Sequence, residues 1–461
     1  MDRLCSLGAV ELAGLIGSGA VRSIDVVDAH LARIAAVNPT VNAITSTLAD
    51  TAREAAELVD RAVAAGEQLG PLAGVPFTVK GNIDVQGSAT TWGVSVMAEQ
   101  IAARDAPLVA RMRWAGAIPL ARSNLPDFAF RWDTDSGLAG RTLNPWDPER
   151  TPGGSSGGEA VALATGMSPL GFGNDLGGSL RIPSQFCGTT AIRPTRGRVA
   201  DATVTVPEPS LFSQMANCQG PMARCVADLR LALSLISARD ARDPRWVPAP
   251  LASQTPIGRV KVAVVRNPLG GGVAPQVAAG VDLAAAALAD AGYELIAQEP
   301  PQIGETMQAW VDAMWAEVAL RWPQMQPIVA PGAEGFVEAL LANGLMMPVD
   351  QKKQLDTWMA IHQLGAAWAQ FFDEFPIVLS PVCCEPPWHA GDDIARVKEI
   401  RHAMRLGVGG EHPGPAVLRR SGRRGRRAAP GGATDRRPVQ RVPVAGRGPG
   451  DRRPGPSADT H

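Results

Sequence analysis

The run "TPGGSSGGEAVALATGMSPLGFGNDLGGSLRIP" (151–183) holds two glycine–serine clusters separated by an apolar stretch. Clusters of this kind commonly serve as loops. Here the segments between and around them, "AVALA" (160–164) and "SPLGFG" (168–173), have the apolar character of ordered structure. Glycines let backbone N–H groups face a ligand without side chains in the way. A serine at the end of such a turn sits beside a ready anion hole, the arrangement acyl transfer needs. The run is not a phosphate loop, because neither cluster ends in Gly-Lys-Ser or Gly-Lys-Thr.

A serine nucleophile needs a base. The six histidines (His30, His362, His389, His402, His412 and His461) all lie far from the clusters in sequence. Upstream, "LAGVPFTVKGNIDV" (72–85) reads as a buried strand running into a turn at Gly81–Asn82, with Lys80 at its end. The chain has only five lysines among its 44 basic residues, so a lysine in this setting is informative. Burial lowers an amine's proton affinity and makes it a base. A strand-end lysine reaching back to water is the competing reading.

Further outward, helical spacing predicts helices over 7–18, 24–36, 51–66, 106–115, 159–166 and 275–291, and less clearly over 183–191. "NPTVNAIT" (38–45) breaks the pattern. Strands are predicted at 116–124, at 258–265 ("GRVKVAVV") and at 375–381 ("FPIVLSP"), the last a late core strand. Residues 300–370 read as mostly helical, with breaks near 331–348. Alternating strands and helices give an α/β class.

With 461 residues, 45% of them hydrophobic, the chain can bury a large core. A net charge of −1 points to neither nucleic acid nor an anionic membrane. The N-terminus does not read as a signal peptide, and no run is long and apolar enough to predict a membrane span. The six cysteines show no zinc-ligand spacing, which fits a reduced cytoplasm. Residues 411–461 differ: twelve arginines against four acidic residues give +8, with eight prolines and no aromatic residue. That composition does not pack a core. The switch after "ARVKEIRHAMRL" (395–406) reads either as a reading-frame shift in a GC-rich gene or as a basic, disordered tail.

Four ordered motifs resemble the amidase signature family: "GVPFTVKGNIDV", "NPWDPERTPGGSSGGEA" (144–160), "GFGNDLGGSLRIPSQFCG" (171–188) and "IRPTRGRV" (192–199). The resemblance covers about residues 5–405. It implies a central mixed β-sheet flanked by helices on both faces. It further implies N-terminal helices over 1–70, a catalytic core over 71–405 with a helical insertion near the substrate pocket within 251–370, and an atypical tail over 406–461. By the same resemblance Ser179 is the nucleophile. Ser155, in a cis peptide bond, relays a proton to the base Lys80. The N–H groups of Leu176, Gly177, Gly178 and Ser179 form the oxyanion hole, and Ser156, Asp175 and Arg181 support the site. No metal or organic cofactor is implied. The expected reaction is hydrolysis of a linear, small-molecule carboxylic amide to a carboxylate and ammonia or an amine. Phe128, Phe130 and Trp132, in "DFAFRWDTDSGLAGRT" (127–142), are expected to line the substrate pocket, and a homodimer is compatible with the reading. The alternatives are an inactive relative with a damaged C-terminus and the A subunit of a tRNA-dependent amidotransferase. Amidotransferases of that kind carry a "MDEFAMG"-like run where this chain has "LPDFAFR" (125–131), which leans away from them.

Overall fold

Eleven strands form three sheets among the described residues of the computed structural model, which are 3–203, 205, 210–249, 251 and 259–407. The tail expected over 406–461 therefore lies, from residue 408 on, outside the described residues. In chain order the strands are β1 (Ile44–Thr47), β2 (Pro76–Lys80), β3 (Ile118–Ser123), β4 (Asp135–Ser136), β5 (Gly140–Arg141), β6 (Leu170–Asp175), β7 (Thr190–Ala191), β8 (Cys218–Ala223), β9 (Lys261–Val264), β10 (Glu294–Ile296) and β11 (Ile377–Leu379). The main sheet has six strands in the order β1-β3-β2-β6-β8-β7. Its centre, β3-β2-β6, is parallel, and β1, β8 and β7 join antiparallel. The sheet is thus mixed, as the family resemblance implies.

Every residue of β2, β3 and β6 is buried, which is what a parallel centre covered on both faces requires. One face receives Leu12 and Ile16 from helix Ala9–Gly17, Val109 and Met112 from helix Pro107–Trp114, and Leu229 from helix Val226–Ile236. These pack on Phe77, Val79 and Phe172, whose Phe77–Phe172 pair meets edge-on at 5.5 Å. The opposite face receives Val27 and Ile34 from helix Ser23–Val41, Ala52 from helix Ala49–Ala64, and Val161 and Leu163 from helix Gly157–Ala164.

Several sequence expectations shift. The segment 38–45 breaks the helix later than expected: helix Ser23–Val41 runs on through Pro39, and the segment then enters β1 at Ile44. Asn38 Oδ1 accepts the N–H groups of Ala43 (2.8 Å) and Ile44 (2.7 Å), and Asn42 turns left-handed at φ 50°. The strands β6 and β8 carry glycine or proline inside them and have no clean alternation, so periodicity leaves them unread. The region 331–348 is less broken than expected: Pro331 opens helix Pro331–Ala342 at its first position, where a missing N–H costs nothing. The expected helix at 183–191 runs over Arg181–Cys187 and stops at left-handed Gly188. The expected core strand at 375–381 is β11, half-buried, and it pairs with β9 in a separate parallel sheet, β10-β9-β11. Helix Pro275–Asp290 links β9 to β10 in the manner of a βαβ unit.

A third body of apolar side chains lies on helices Ile303–Met325, Pro331–Ala342 and Gln351–Glu374. It is aromatic: Trp310, Trp315 and Phe336 pack there with Trp132, Phe186 and Phe212. No helix among the described residues is long and apolar enough to cross a membrane.

Candidate active site

The alternation of β2 decides where its lysine goes. Phe77 and Val79 enter the core of one face, so Thr78 and Lys80 point to the other. There Thr78 Oγ1 donates to Glu159 Oε2 at 2.6 Å, and Lys80 Nζ lies 2.8 Å from Ser155 Oγ. Lys80 has no solvent exposure, so it does not reach back to water. Burial pulls its amine down to about 7, against the opposing pull of the Asp175 and Glu159 carboxylates. Near neutral pH the amine is therefore present in both charged and neutral forms.

Glu159 is also fully buried. Burial pushes its carboxyl up to about 7, although the hydroxyls of Thr78 and Ser123 (2.8 Å to Oε1) favour the charged form. The sequence reading missed it, because one glutamate near the start of a helix looks like an ordinary first-turn acid.

The first glycine–serine cluster precedes helix Gly157–Ala164, and the Gly154–Ser155 peptide bond is cis. The second forms the loop between β6 and helix Arg181–Cys187. The Ser156 N–H donates to the Ser179 carbonyl at 3.2 Å, which fastens the two clusters together. Ser156 Oγ donates to the Asn174 carbonyl at 3.4 Å. Ser155 and Ser179 are both buried, at 1% and 7% exposure. No hydrogen bond joins their hydroxyls among the described residues, so the Lys80–Ser155 half of the expected relay is closed and the Ser155–Ser179 half is open.

The loop wraps around Asp175. Its Oδ1 accepts the Gly178 N–H at 2.7 Å, and its Oδ2 accepts the Leu180 N–H at 3.0 Å. Arg181 adds Nε and Nη2 at 3.0 and 2.9 Å. Burial alone would raise this carboxyl, but Arg181 and Arg193 hold it well below the usual range. Arg181 Nη1 also donates to the Gly407 carbonyl. Gly178 sits at φ 96°, a backbone conformation that glycine alone adopts readily.

The Gly178 N–H, one of the four donors expected of the oxyanion hole, is bonded to Asp175 Oδ1. The N–H groups of Leu176, Gly177 and Ser179 make no hydrogen bond among the described residues and remain open.

Two indoles hold the loop's carbonyls. Trp132 Nε1 donates to the Gly177 oxygen at 3.0 Å, and Trp310 Nε1 donates to the Leu176 oxygen at 3.2 Å. In a trans peptide C=O and N–H point opposite ways, so the bond to Leu176 turns the Gly177 N–H away from Trp310. Trp132, expected in the pocket lining, is buried, bonded to the loop and packed edge-on against Phe336 at 5.8 Å. Phe128 and Phe130 are half-buried, with centroids 5.9 Å apart, and Phe130 packs against the aromatic cluster. Trp310 lies more than a hundred residues downstream, and nothing in its local sequence announces it.

Lys80 Nζ has a second partner that sequence reasoning missed, Asn174 Oδ1 at 2.8 Å. No group of three or more His, Cys, Asp or Glu side chains is placed to hold a metal among the described residues. The backbone N–H of His389 donates to Asp392 Oδ2 at 3.2 Å.

Comparison with known proteins places the chain in a family. Residues 25–404 match the family described as Amidase. An indoleacetamide hydrolase of Bradyrhizobium diazoefficiens is 40% identical over 405 residues, spanning 87% of this chain and 76% of that protein. The A subunit of the glutamyl-tRNA(Gln) amidotransferase of Salinispora tropica is 36% identical over 319 residues, 67% of this chain and 64% of that protein. Among solved structures, 6-aminohexanoate cyclic dimer hydrolase in complex with substrate superposes with a TM-score of 0.74 at 26% identity, over 88% of this chain and 89% of that one.

Proposed function

The chain belongs to the amidase signature family of amide hydrolases, and from that premise we propose that it hydrolyses a primary amide of an arylacetic acid, of the indoleacetamide type, through an acyl-Ser179 intermediate. The observation that carries the mechanism is the buried contact of Lys80 Nζ with Ser155 Oγ at 2.8 Å. The similarity to indoleacetamide hydrolase over 87% of the chain, and the half-buried phenyl rings of Phe128 and Phe130, support the aromatic substrate.

In the acylation step Ser179 Oγ attacks the amide carbonyl carbon. Its proton passes to Ser155 as the Ser155 proton passes to neutral Lys80. The oxyanion that forms is held by the N–H groups of Leu176, Gly177 and Ser179, donors that need no reorganisation as charge develops. Collapse breaks the C–N bond, and the Lys80 proton returns through Ser155 to the leaving nitrogen as ammonia departs. Water then attacks the ester by the same proton path in reverse, releasing the carboxylate and restoring Ser179.

Asp175 and Arg181 fix the turn that presents Ser179, and Ser156 ties that turn to Ser155. Phe130, with Phe128 beside it, lines the acyl side in this reading. The first sheet and its helices, with the aromatic helical layer over them, work as one catalytic core.

The test is ammonia release from indole-3-acetamide and phenylacetamide by the purified chain, beside Ser179→Ala and Lys80→Ala. Release by the parent and its loss in both variants supports the reading. If the folded parent releases ammonia only in the presence of a partner protein, the amidotransferase role is the better one. If it never does, and no fluorophosphonate adduct forms on Ser179, the chain is an inactive relative.

A further inference from the structure

An amine that takes a proton from a hydroxyl must aim its lone pair at that hydroxyl. Lys80 Nζ has two oxygen neighbours at 2.8 Å, Ser155 Oγ and Asn174 Oδ1. An amide oxygen only accepts, so the Asn174 contact takes up an N–H of the amine. Asn82 keeps Asn174 that way round. Asn174 Nδ2 donates to Asn82 Oδ1 at 3.0 Å, and Asn82 Nδ2 lies 3.4 Å from Asn174 Oδ1. Turning the Asn174 carboxamide over would set carbonyl against carbonyl and NH2 against amine. All three residues are buried, so water cannot make good the loss.

We propose that Asn174, clamped by Asn82, is a positioning residue that occupies one N–H of Lys80 and thereby turns the amine's lone pair to Ser155. The proposal rests on the reading of Lys80 as the base. The local chain geometry supplies the parts. Asn82 lies in the turn closed by the Ile83 N–H on the Lys80 carbonyl at 3.0 Å, just past the end of β2. Asn174 lies near the end of β6, the strand paired with β2.

The charge of the brace matters as much as its shape. The carboxyl groups acting on the amine are Asp175 and Glu159, each of which favours the ammonium when ionised. Arg122 faces the same turn, its Nη2 donating to the Lys80 carbonyl at 3.3 Å. Asn174 gives the amine an acceptor without adding a third carboxylate, and so leaves it able to lose its proton near neutral pH.

The experiment follows the rate of fluorophosphonate adduct formation on Ser179, by intact mass, across pH for the full chain and its variants. This readout needs no knowledge of the substrate. Asn174→Asp should move the acidic limb of the profile upward by about 1–3 pH units, the effect of an adjacent opposite charge. Asn82→Asp, with its charge one residue further from Nζ, should move it the same way by less. Asn174→Ser, an uncharged acceptor, should leave the limb where the parent has it. A structural disturbance alone would lower the rate at every pH without moving the limb. If Asn174→Asp does not fold, Asn82→Asp decides. A limb at the parent's pH in the aspartate variants overturns the brace. If instead Lys80→Ala labels as fast as the parent, the base reading has failed and takes the brace with it.

Discussion

The indole N–H of Trp132 donates to the Gly177 carbonyl across 3.0 Å, and the other end of that same peptide, the Gly178 N–H, binds Asp175 Oδ1 at 2.7 Å. One peptide plane of the loop that carries Ser179 is therefore held on both edges. Trp132→Phe keeps an aromatic ring against Phe336 and removes only the donor. It should lower kcat roughly 10-fold, the worth of one buried hydrogen bond, with KM nearly unchanged. A kcat within twofold of the parent would show that Asp175 alone suffices.

The neighbouring residue has no room for a side chain. A Cβ on Gly177 would lie 2.6 Å from Trp310 Cζ2, so either the ring or the loop must move. Gly177→Ala should cost more activity than Trp132→Phe, because it displaces two oxyanion donors together. Fluorophosphonate labelling at matched concentrations checks this, and equal labelling of the two variants would contradict it.

Activity should fall as pH drops through about 7, because the Lys80 amine is then protonated. Lys80→Arg should abolish turnover, since a guanidinium stays charged. Glu159→Gln removes a carboxylate that favours the ammonium, so the acidic limb should move to lower pH. The hydroxyls of Thr78 and Ser123 can hydrogen-bond either end of the new amide. A pH–rate profile of the variant that coincides with the parent's would remove Glu159 from the charge balance.

The same glutamate has a stability signature. Its carboxyl holds a proton up to about 7 in the fold, against a value of 4.5 in the unfolded chain. The folded state binds the extra proton between those values, so the stability Glu159 contributes is full below the lower one. It is lost as pH rises through the higher one. Denaturant midpoints of the parent and Glu159→Gln should diverge across that window. Parallel curves would mean Glu159 stays ionised in the fold.

Away from the chemistry, Asp393 makes a two-pronged contact with Arg131, Nε to Oδ2 at 3.0 Å and Nη2 to Oδ1 at 2.8 Å, both residues being buried. Asp393→Ala leaves the guanidinium with Asp133 at 3.7 Å and Asp135 at 3.6 Å. The expected cost is about 3 kcal/mol, the low end for breaking a buried pair. Urea unfolding measures it, and a midpoint shift within error would mean the two remaining aspartates compensate.

How much of this could be read beforehand follows from distance along the chain. The serine clusters and Lys80 are legible because each is a local pattern: glycines where backbone must face a ligand, and a lysine closing an apolar strand. Asn82 and Asn174 lie inside the same quoted runs and still went unread. An asparagine beside a glycine looks like turn chemistry, and only the pairing of β2 with β6 brings the two amides together. Trp310 was hidden more deeply, and for Trp132 the ring was read but not its bond to the loop, since an indole on a helix or loop reads as core until its N–H finds a carbonyl. The commitment of the Gly178 N–H to Asp175 is a matter of which way one peptide plane faces, and no residue pattern records that. Among the strands, β6 and β8 escaped because their glycines and proline erase the alternation that marks a sheet.

The bond from Arg181 to the Gly407 carbonyl spans 226 residues. During synthesis, at roughly 5–20 residues per second, the turn that carries Ser179 leaves the ribosome about ten to forty-five seconds before its far partner has been made. Asp175 can gather the turn's own N–H groups at once. The outer guanidinium contact must wait. The turn that carries Ser179 is thus written early and secured late, and the interval between the two is set by the translation clock.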